Sequence, residues 1–251
     1  MAHETLPITG LELDVVPPSV LVCGDPERAT KTAAQLDAAA LLSEQREYRA
    51  YGGTYEGMSV LVCSHGVGAP GAAVAFEELI AAGARRLLRI GTCGSLQPHI
   101  HDGDLVVATA AVDATGYGRL TAPPGYPAVA DVTLTYTLLR TAAAGERRSY
   151  SGLVLSSDSF YRGVATPYTP HYPTLSQANV LAVEMECAAL FHVGNLRRVP
   201  AGAILAVDGN VLETGETIDA YDPHRPIVEA AVTDEIQIAL RVLKEMETRD
   251  W

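Results

Sequence analysis

The sequence predicts an α/β sandwich built around a mostly parallel or mixed β-sheet. Short apolar runs rich in Val, Ile and Leu alternate with alanine-rich stretches of helical length along most of the chain, a pattern typical of α/β folds. No stretch rich in Pro, Gly or Ser divides this alternation, and no internal repeat is present. A chain of 251 residues can bury one large core, so we expect a single domain over residues 1–251.

Strands are predicted where apolar and β-branched residues run together between turn residues. The first such run is "SVLVC", which ends just before Gly24, and the last is "AILAVDG", which ends in an Asp-Gly turn pair. The predicted strands cover residues 19–23, 58–65, 85–91, 104–112, 151–157, 180–185 and 201–209.

Helices are predicted in the alanine-rich or amphipathic stretches between these strands. Pro26 favours a helix start, because proline suits the first helical turn. The predicted helices cover residues 26–39, 70–84, 131–144, 186–198 and 224–249. Segments 115–127 and 209–224 hold most of the turn residues, so we expect loops there that cover a substrate.

Composition narrows the class of partner. The formal net charge of −12 at pH 7 disfavours a nucleic-acid surface, and no apolar run approaches the length of a membrane span. The N-terminal stretch lacks the basic and apolar regions of a secretory signal. Four widely spaced cysteines predict reduced core thiols in a cytoplasmic protein. If such an acidic protein binds a small anion, it must gather its few arginines locally.

The segment "VCGDPERA" is the first candidate anion site. A strand runs into Gly24, an Asp-Pro turn follows, and the next helix carries Arg28 in its first turn. Free amide groups and the positive helix end attract anions there, and an arginine can bind a phosphate through two donors. An ordinary strand–helix turn with a surface arginine is the alternative.

The segment "RIGTCGS" is the second candidate anion site. Arg89 interrupts an apolar strand, and a turn of small residues that includes Thr92 follows it. Because a buried arginine is costly unless paired, either a carboxylate contacts Arg89 or its side chain points at an anion in a cleft. A solvent-facing arginine on an edge strand is the remaining interpretation.

The segment "SHGVGAPG" fits the dinucleotide-binding pattern G-x-G-x-x-G. That pattern also requires an acidic residue about 20 residues further on, where this chain has Arg89 and Thr92 instead. We interpret the segment as a glycine turn against which a ligand can lie.

The segment "VLAVEMECAAL" carries Glu184 and Glu186, which point to the same face if the segment is a strand. One of them is expected to start the following helix, near its positive end. The other is suited to accept hydrogen bonds from sugar hydroxyls.

These segments together resemble the hexameric purine nucleoside and uridine phosphorylases. "GDPERA", "REYRAYGGTYEG", "SHGVG", "RIGTCGSLQP", "SSDSFY", "VEMECAAL" and "ILAVDG" occur in the order found in that family, over roughly residues 18 to 210. The resemblance implies a three-layer α/β/α sandwich with a central mixed sheet. It also implies reversible phosphorolysis, in which phosphate attacks C1′ of a nucleoside and releases the base.

The resemblance assigns roles residue by residue. Phosphate would be held by Gly24, Arg28, Arg89 and Thr92, together with Arg46 from a neighbouring subunit. The nucleoside would be held by Phe160, Val183, Met185 and Glu186, and by His3 of the partner subunit. Asp208 would meet the purine N7 as an acid that stabilises the departing base. Phosphate is then a co-substrate, with no cofactor or metal, in a cytoplasmic homo-oligomer whose smallest complete unit is a dimer and whose expected assembly is a hexamer.

A purine is favoured over a pyrimidine for two reasons. Uridine phosphorylases read uracil with a Gln-x-Arg pair soon after the "FY" segment, and "FYRGVATPYTPHY" lacks that pair. They also generally lack an aspartate where Asp208 stands. The alternatives are a uridine phosphorylase, a nucleosidase of the same fold, a non-catalytic nucleoside-binding protein and, more distantly, a dinucleotide-binding oxidoreductase.

Overall fold

A mixed ten-stranded sheet forms the centre of the computed structural model, which describes residues 5–161, 163–214, 222 and 224–247. The strands are β1 (Ser19–Cys23), β2 (Asp37–Gln45), β3 (Tyr48–Tyr55), β4 (Met58–Ser64), β5 (Arg86–Ser95), β6 (Leu105–Ala114), β7 (Ala128–Val129), β8 (Ser149–Ser157), β9 (Val180–Glu184) and β10 (Ala201–Asn210). The helices are α1 (Pro26–Ala33), α2 (Ala69–Ala81), α3 (Gly116–Thr121), α4 (Val132–Ala143), α5 (Tyr172–Gln177), α6 (Cys187–Arg197), α7 (Val211–Thr214) and α8 (Pro226–Met246), with a 3₁₀ turn at Leu13–Val15.

The strand order places three parallel strands side by side. Strands run in the order β10-β6-β8-β9-β5-β1-β4-β3-β2, with β7 paired to β6. Strand β5 also pairs with β10, so β10, β6, β8, β9 and β5 form a closed ring of paired strands at one end of the sheet. Because β1, β5 and β10 are mutually parallel neighbours, their carboxyl ends meet at one edge, where ligands bind in α/β proteins.

Helices cover both faces of the sheet, which confirms the α/β/α prediction. Helices α1, α4 and α8 pack on one face, around a core that includes Leu88, Ile204 and Leu240. Helices α2 and α6 pack on the other, around Phe76 and Phe191. Helix α6 is buried on almost every side, as expected of a helix in a large core.

The predicted helix over residues 26–39 is wrong beyond Ala33. Helix α1 ends there, and the alanine-rich residues that follow enter β2, an exposed edge strand paired with β3. Helix propensity is a weak preference that tertiary pairing overrides, and β3, which was not predicted, supplies the partner. The other predicted strands and helices are present, with ends shifted by four residues or fewer.

The two predicted loop segments are partly helical. Residues 115–127 contain α3, and residues 209–224 begin with the end of β10 and α7. Residues 215–221 and 223 of the second segment lie outside the described part of the chain. Among the described helices, none is long and apolar enough to cross a membrane.

Candidate active site

A cavity of about 1100 Å³ lies at the carboxyl ends of β1, β5 and β10. Nine of the eleven predicted site residues line it. They are Gly24, Arg28, Arg89, Thr92, Phe160, Val183, Met185, Glu186 and Asp208. The parallel sheet edge thus brings residues from distant parts of the sequence to one place.

Arg28 is a buried arginine on the first turn of α1. Asp25 caps this helix by accepting the Glu27 amide at 2.8 Å, and Pro26 occupies the first turn. The guanidinium lies 3.5 Å from the carbonyl oxygen of Ile90 through Nη1, and Nε lies 3.6 Å from Oε1 of Glu235. Only 9% of Arg28 is exposed, so the alternative of a surface arginine at an ordinary turn is wrong.

Arg89 is held by carboxylates from the strand β9 region. Its Nη2 lies 2.6 Å from Oε2 of Glu186 and 3.3 Å from Oε2 of Glu184. Burial alone lowers the pKa of Arg89, but Glu186 and Glu184 raise it above its ordinary value. A Cβ at Gly91 would lie 2.8 Å from Nη2 of Arg89, so glycine there leaves room for the guanidinium. Arg89 is therefore a charged, paired group in the cavity wall.

His65 supports Arg89 from the other side. Its Nε2 lies 3.3 Å from Nη1 of Arg89, and its Nδ1 lies 2.9 Å from the carbonyl oxygen of Gly66. Burial, reinforced by the charge of Arg89, lowers the pKa of His65 well below its usual value. The imidazole is therefore neutral, with Nδ1–H donating to Gly66 and Nε2 accepting from Arg89.

The two glutamates have separate roles. Glu184 accepts the amides of Glu186 at 2.8 Å and Cys187 at 2.9 Å, and the hydroxyl of Ser156 donates to it. Its charge is thus directed at the positive end of α6. Both glutamates line the cavity, but Glu186 accepts no amide of α6, and burial raises its pKa although Arg89 opposes the shift.

The glycine turn before α2 completes the position of Glu186. Gly68 has φ of +98°, a conformation that disfavours residues with a Cβ, and its N–H donates to Oε1 of Glu186 at 2.6 Å. Gly66 and Val67 line the cavity. The turn therefore lines the cavity and orients the carboxylate of Glu186.

Asp208 lies where β10 ends. The β10–β5 register shifts between Val207 and Gly209, and such an irregularity redirects a side chain. Asp208 is 7% exposed and lines the cavity. Its carbonyl oxygen accepts Nη2 of Arg225 at 2.6 Å, and Arg225 also forms an ion pair with Asp102. This contact ties the segment before α8 to the end of β10.

Apolar residues lie on the same cavity as Asp208. Val183 is buried, whereas Phe160 is exposed and has its ring centroid 5.0 Å from that of Tyr161. Together with Met185 they offer apolar surface beside the carboxylates. Such a cavity suits a ligand with one anionic part, one hydroxylated part and one planar apolar part.

Two predicted residues are not placed in this cavity. Arg46 lies on the turn between β2 and β3, where it is exposed and has φ of +56°. Its assignment to a neighbouring subunit's phosphate stays a prediction. His3 lies outside the described residues.

Four residues near the site were not singled out from the sequence: His65, Asp102, Arg225 and Glu235. His65 belongs to the quoted segment "SHGVG" but was given no role, and the other three lie outside the quoted segments. Each contacts its partner only through the fold. In the described part of the chain, no group of three or more His, Cys, Asp or Glu side chains is arranged to hold a metal ion.

Comparison with known proteins identifies the family of this chain. The sequence model of the phosphorylase superfamily matches residues 18–244. A uridine phosphorylase of Thermococcus kodakarensis is 40% identical over 76% of this chain and 72% of its own length. A purine nucleoside phosphorylase of Plasmodium vivax is also 40% identical, over 79% of this chain and 81% of its own.

Solved structures show the same fold. The purine nucleoside phosphorylase of Toxoplasma gondii, determined in complex with immucillin-H, superposes with a TM-score of 0.92 at 30% identity. The superposition covers 98% of each chain.

Proposed function

This chain belongs to the phosphorylase superfamily, and we propose that it catalyses the reversible phosphorolysis of purine nucleosides. One observation carries the proposal: Arg28, Arg89, Glu186 and Asp208 all line a single cavity at the end of the sheet. The cavity would thus combine two arginines that bind an anion, a carboxylate that binds a sugar, and an acid that protonates the base.

The phosphate would bind between the two arginines. Arg28 and Arg89 neutralise a dianion and hold one of its oxygens against C1′, which provides the orientation that makes attack fast. Thr92 and the glycine turn at Gly24 complete the contacts. The new bond forms between the phosphate oxygen and C1′, and the bond from C1′ to the base nitrogen breaks.

The sugar and base would be stabilised by carboxylates. Bond cleavage passes through an oxocarbenium-like state, and Glu186 accepts hydrogen bonds from the sugar hydroxyls. The electron pair of the broken bond moves into the base. Asp208 would stabilise that negative charge by donating a proton at N7. The products are the free base and a sugar 1-phosphate.

Uridine phosphorolysis is the second candidate, because a relative with that name matches as well as one named for purines. Asp208 and the missing Gln-x-Arg pair after Phe160 support the purine. A nucleosidase, which uses water, would not need both arginines beside Glu186.

The proposal includes a second subunit. Arg46 is exposed on the β2–β3 turn, from which it would reach the phosphate of a neighbouring copy. A homo-oligomer is therefore the proposed active form, with a dimer as its smallest complete unit.

The test is release of base from inosine, guanosine, adenosine and uridine, each with and without phosphate. We expect phosphate-dependent release from purine nucleosides. Equal rates without phosphate would contradict phosphorolysis. A preference for uridine would contradict the purine assignment and leave the reaction class intact.

A further inference from the structure

Glu235 is a buried carboxyl group that takes no part in the proposed reaction steps. It lies on α8 with none of its surface exposed. Neither of its side-chain oxygens has a hydrogen-bond partner among the described residues. A buried carboxyl without partners is costly, and this one lies directly behind a phosphate-binding residue of the proposed site.

The closest charged group is Arg28. The Nε atom of Arg28 lies 3.6 Å from Oε1 of Glu235 and makes no hydrogen bond of its own in the described structure. Of these two residues, Arg28 lines the cavity and Glu235 does not. The carboxyl group therefore approaches Arg28 from the buried interior and not from the cavity.

Groups from three other elements face Glu235. Arg28 comes from α1, Arg89 and Cys93 come from β5, and Cys23 comes from β1. Burial raises the pKa of Cys23 to about 12 and that of Cys93 well above its usual value, so both thiols stay neutral. The main chain at Gly91 and Ala206 lies near the carboxyl group and opposes the rise of its pKa, without forming a hydrogen bond of normal geometry with it.

We infer that Glu235 is a positioning residue for Arg28, and that its proton controls how tightly the site binds the phosphate dianion. The inference rests on the proposed function, because it assigns Arg28 to phosphate. When Glu235 is neutral, the charge of Arg28 is directed at the anion. When Glu235 is ionised, it neutralises Arg28 from behind and repels the dianion.

Distances in the site support a neutral Glu235. Arg89 and Glu186 approach to 2.6 Å, the separation of a charge-assisted hydrogen bond. Nε of Arg28 and Oε1 of Glu235 remain 3.6 Å apart, although neither atom makes a hydrogen bond with another described residue. Burial raises the pKa of Glu235 to about 8, even though Arg28 and Arg89 oppose the shift.

The direction of the pH effect follows from this. Below about pH 8 Glu235 holds its proton, and anion binding is strong. Above that pH, binding a dianion must draw one proton from solvent onto Glu235, so affinity falls by up to about tenfold per pH unit.

Sulfate is the probe, because phosphate itself titrates near neutral pH whereas sulfate stays a dianion. Its dissociation constant would be measured by calorimetry on the intact oligomer between about pH 6.5 and pH 9.5. For the wild type we expect a rise of about tenfold or more above pH 8. For Glu235→Gln, a neutral isostere, we expect wild-type affinity at pH 7 and a profile flat to about twofold.

Glu229→Gln is the matched control. Glu229 also lies on α8 and pairs with Lys31 of α1, but at the surface. It should keep the wild-type profile. The same pH dependence in wild type and Glu235→Gln would overturn the inference.

A second measurement uses the wild type alone, so it does not depend on a variant's folding. At about pH 8.5, calorimetry in two buffers of different ionisation heat should detect proton uptake on sulfate binding. Binding without proton uptake would overturn the inference and leave the proposed function standing. Absence of both phosphate and sulfate binding at pH 7 would contradict the proposed function itself.

Discussion

Arg89 and Glu186 form a buried ion pair, with Nη2 of one 2.6 Å from Oε2 of the other. The pair joins the group assigned to phosphate with the group assigned to sugar. Removing one member of a buried pair leaves an uncompensated charge, at a cost of about 3–5 kcal/mol. We therefore expect changes at either residue to affect both substrates.

Glu186→Gln should lower kcat/KM for purine nucleosides by about 10- to 100-fold, because a hydrogen bond to a charged group contributes about 1.5–3 kcal/mol. Steady-state kinetics with each substrate varied in turn would measure this. Glu77→Gln, which disrupts the exposed pair with Arg197, is the control and should be neutral. An unchanged kcat/KM for Glu186→Gln would exclude it from sugar binding.

Arg89→Lys should raise the KM for phosphate by about tenfold or more, because lysine lacks the planar fork that reaches Glu186 and His65 together. Arg197→Lys changes the same residue type at an exposed pair and should match the wild type. Equal phosphate KM values for the two variants would refute the assignment of Arg89.

Asp208→Asn should lower kcat on purine nucleosides by about 10²- to 10⁴-fold, the usual contribution of a positioned proton donor. The KM for phosphate should change little, since the arginines remain. Rapid measurement of base release at saturating phosphate would test the first effect. If turnover is unchanged, Asp208 has no part in the mechanism.

Arg46→Ala should weaken phosphate binding although Arg46 does not line the described cavity of its own chain. Mixing this variant with Asp208→Asn subunits is the sharper test. Shared sites would restore activity, because each dimer of one Arg46→Ala and one Asp208→Asn subunit contains one site with both native residues. If the mixture is no more active than the sum of its parts, each subunit works alone.

Glu235→Gln should also change stability with a defined sign. A carboxyl whose pKa rises from 4.5 to about 8 on folding binds more protons when folded. Glu235 therefore contributes to stability at low pH. This contribution is lost as the pH rises from 4.5 to about 8, by about 1.4 kcal/mol per pH unit. Denaturant unfolding at fixed protein concentration measures this effect. The free energy of unfolding of Glu235→Gln should rise relative to that of the wild type as the pH increases through this range. Parallel curves would contradict the raised pKa.

Much of the fold was predictable because its signals are local. The apolar runs of β1, β5 and β10 needed only their own residues to be recognised, and Pro26 marked the start of α1. Strand β2 was missed because its alanine-rich residues 38–40 favour helix in isolation. These residues form a strand at the edge of the sheet only because β3 pairs with them.

The sequence by itself determined the alternation of strands and helices and the residue types available for an anion, a sugar and a base. Tertiary structure alone decided how the charges are paired. The side chain of Glu184 accepts an amide at the start of α6, whereas that of Glu186 accepts the Gly68 amide, and nothing in "VEMEC" distinguishes them. Glu235 follows Arg28 by most of the chain's length, yet the two meet behind the site. The physical reason is that a pKa or an ion pair depends on burial and distance in space, which the sheet sets by joining distant strands.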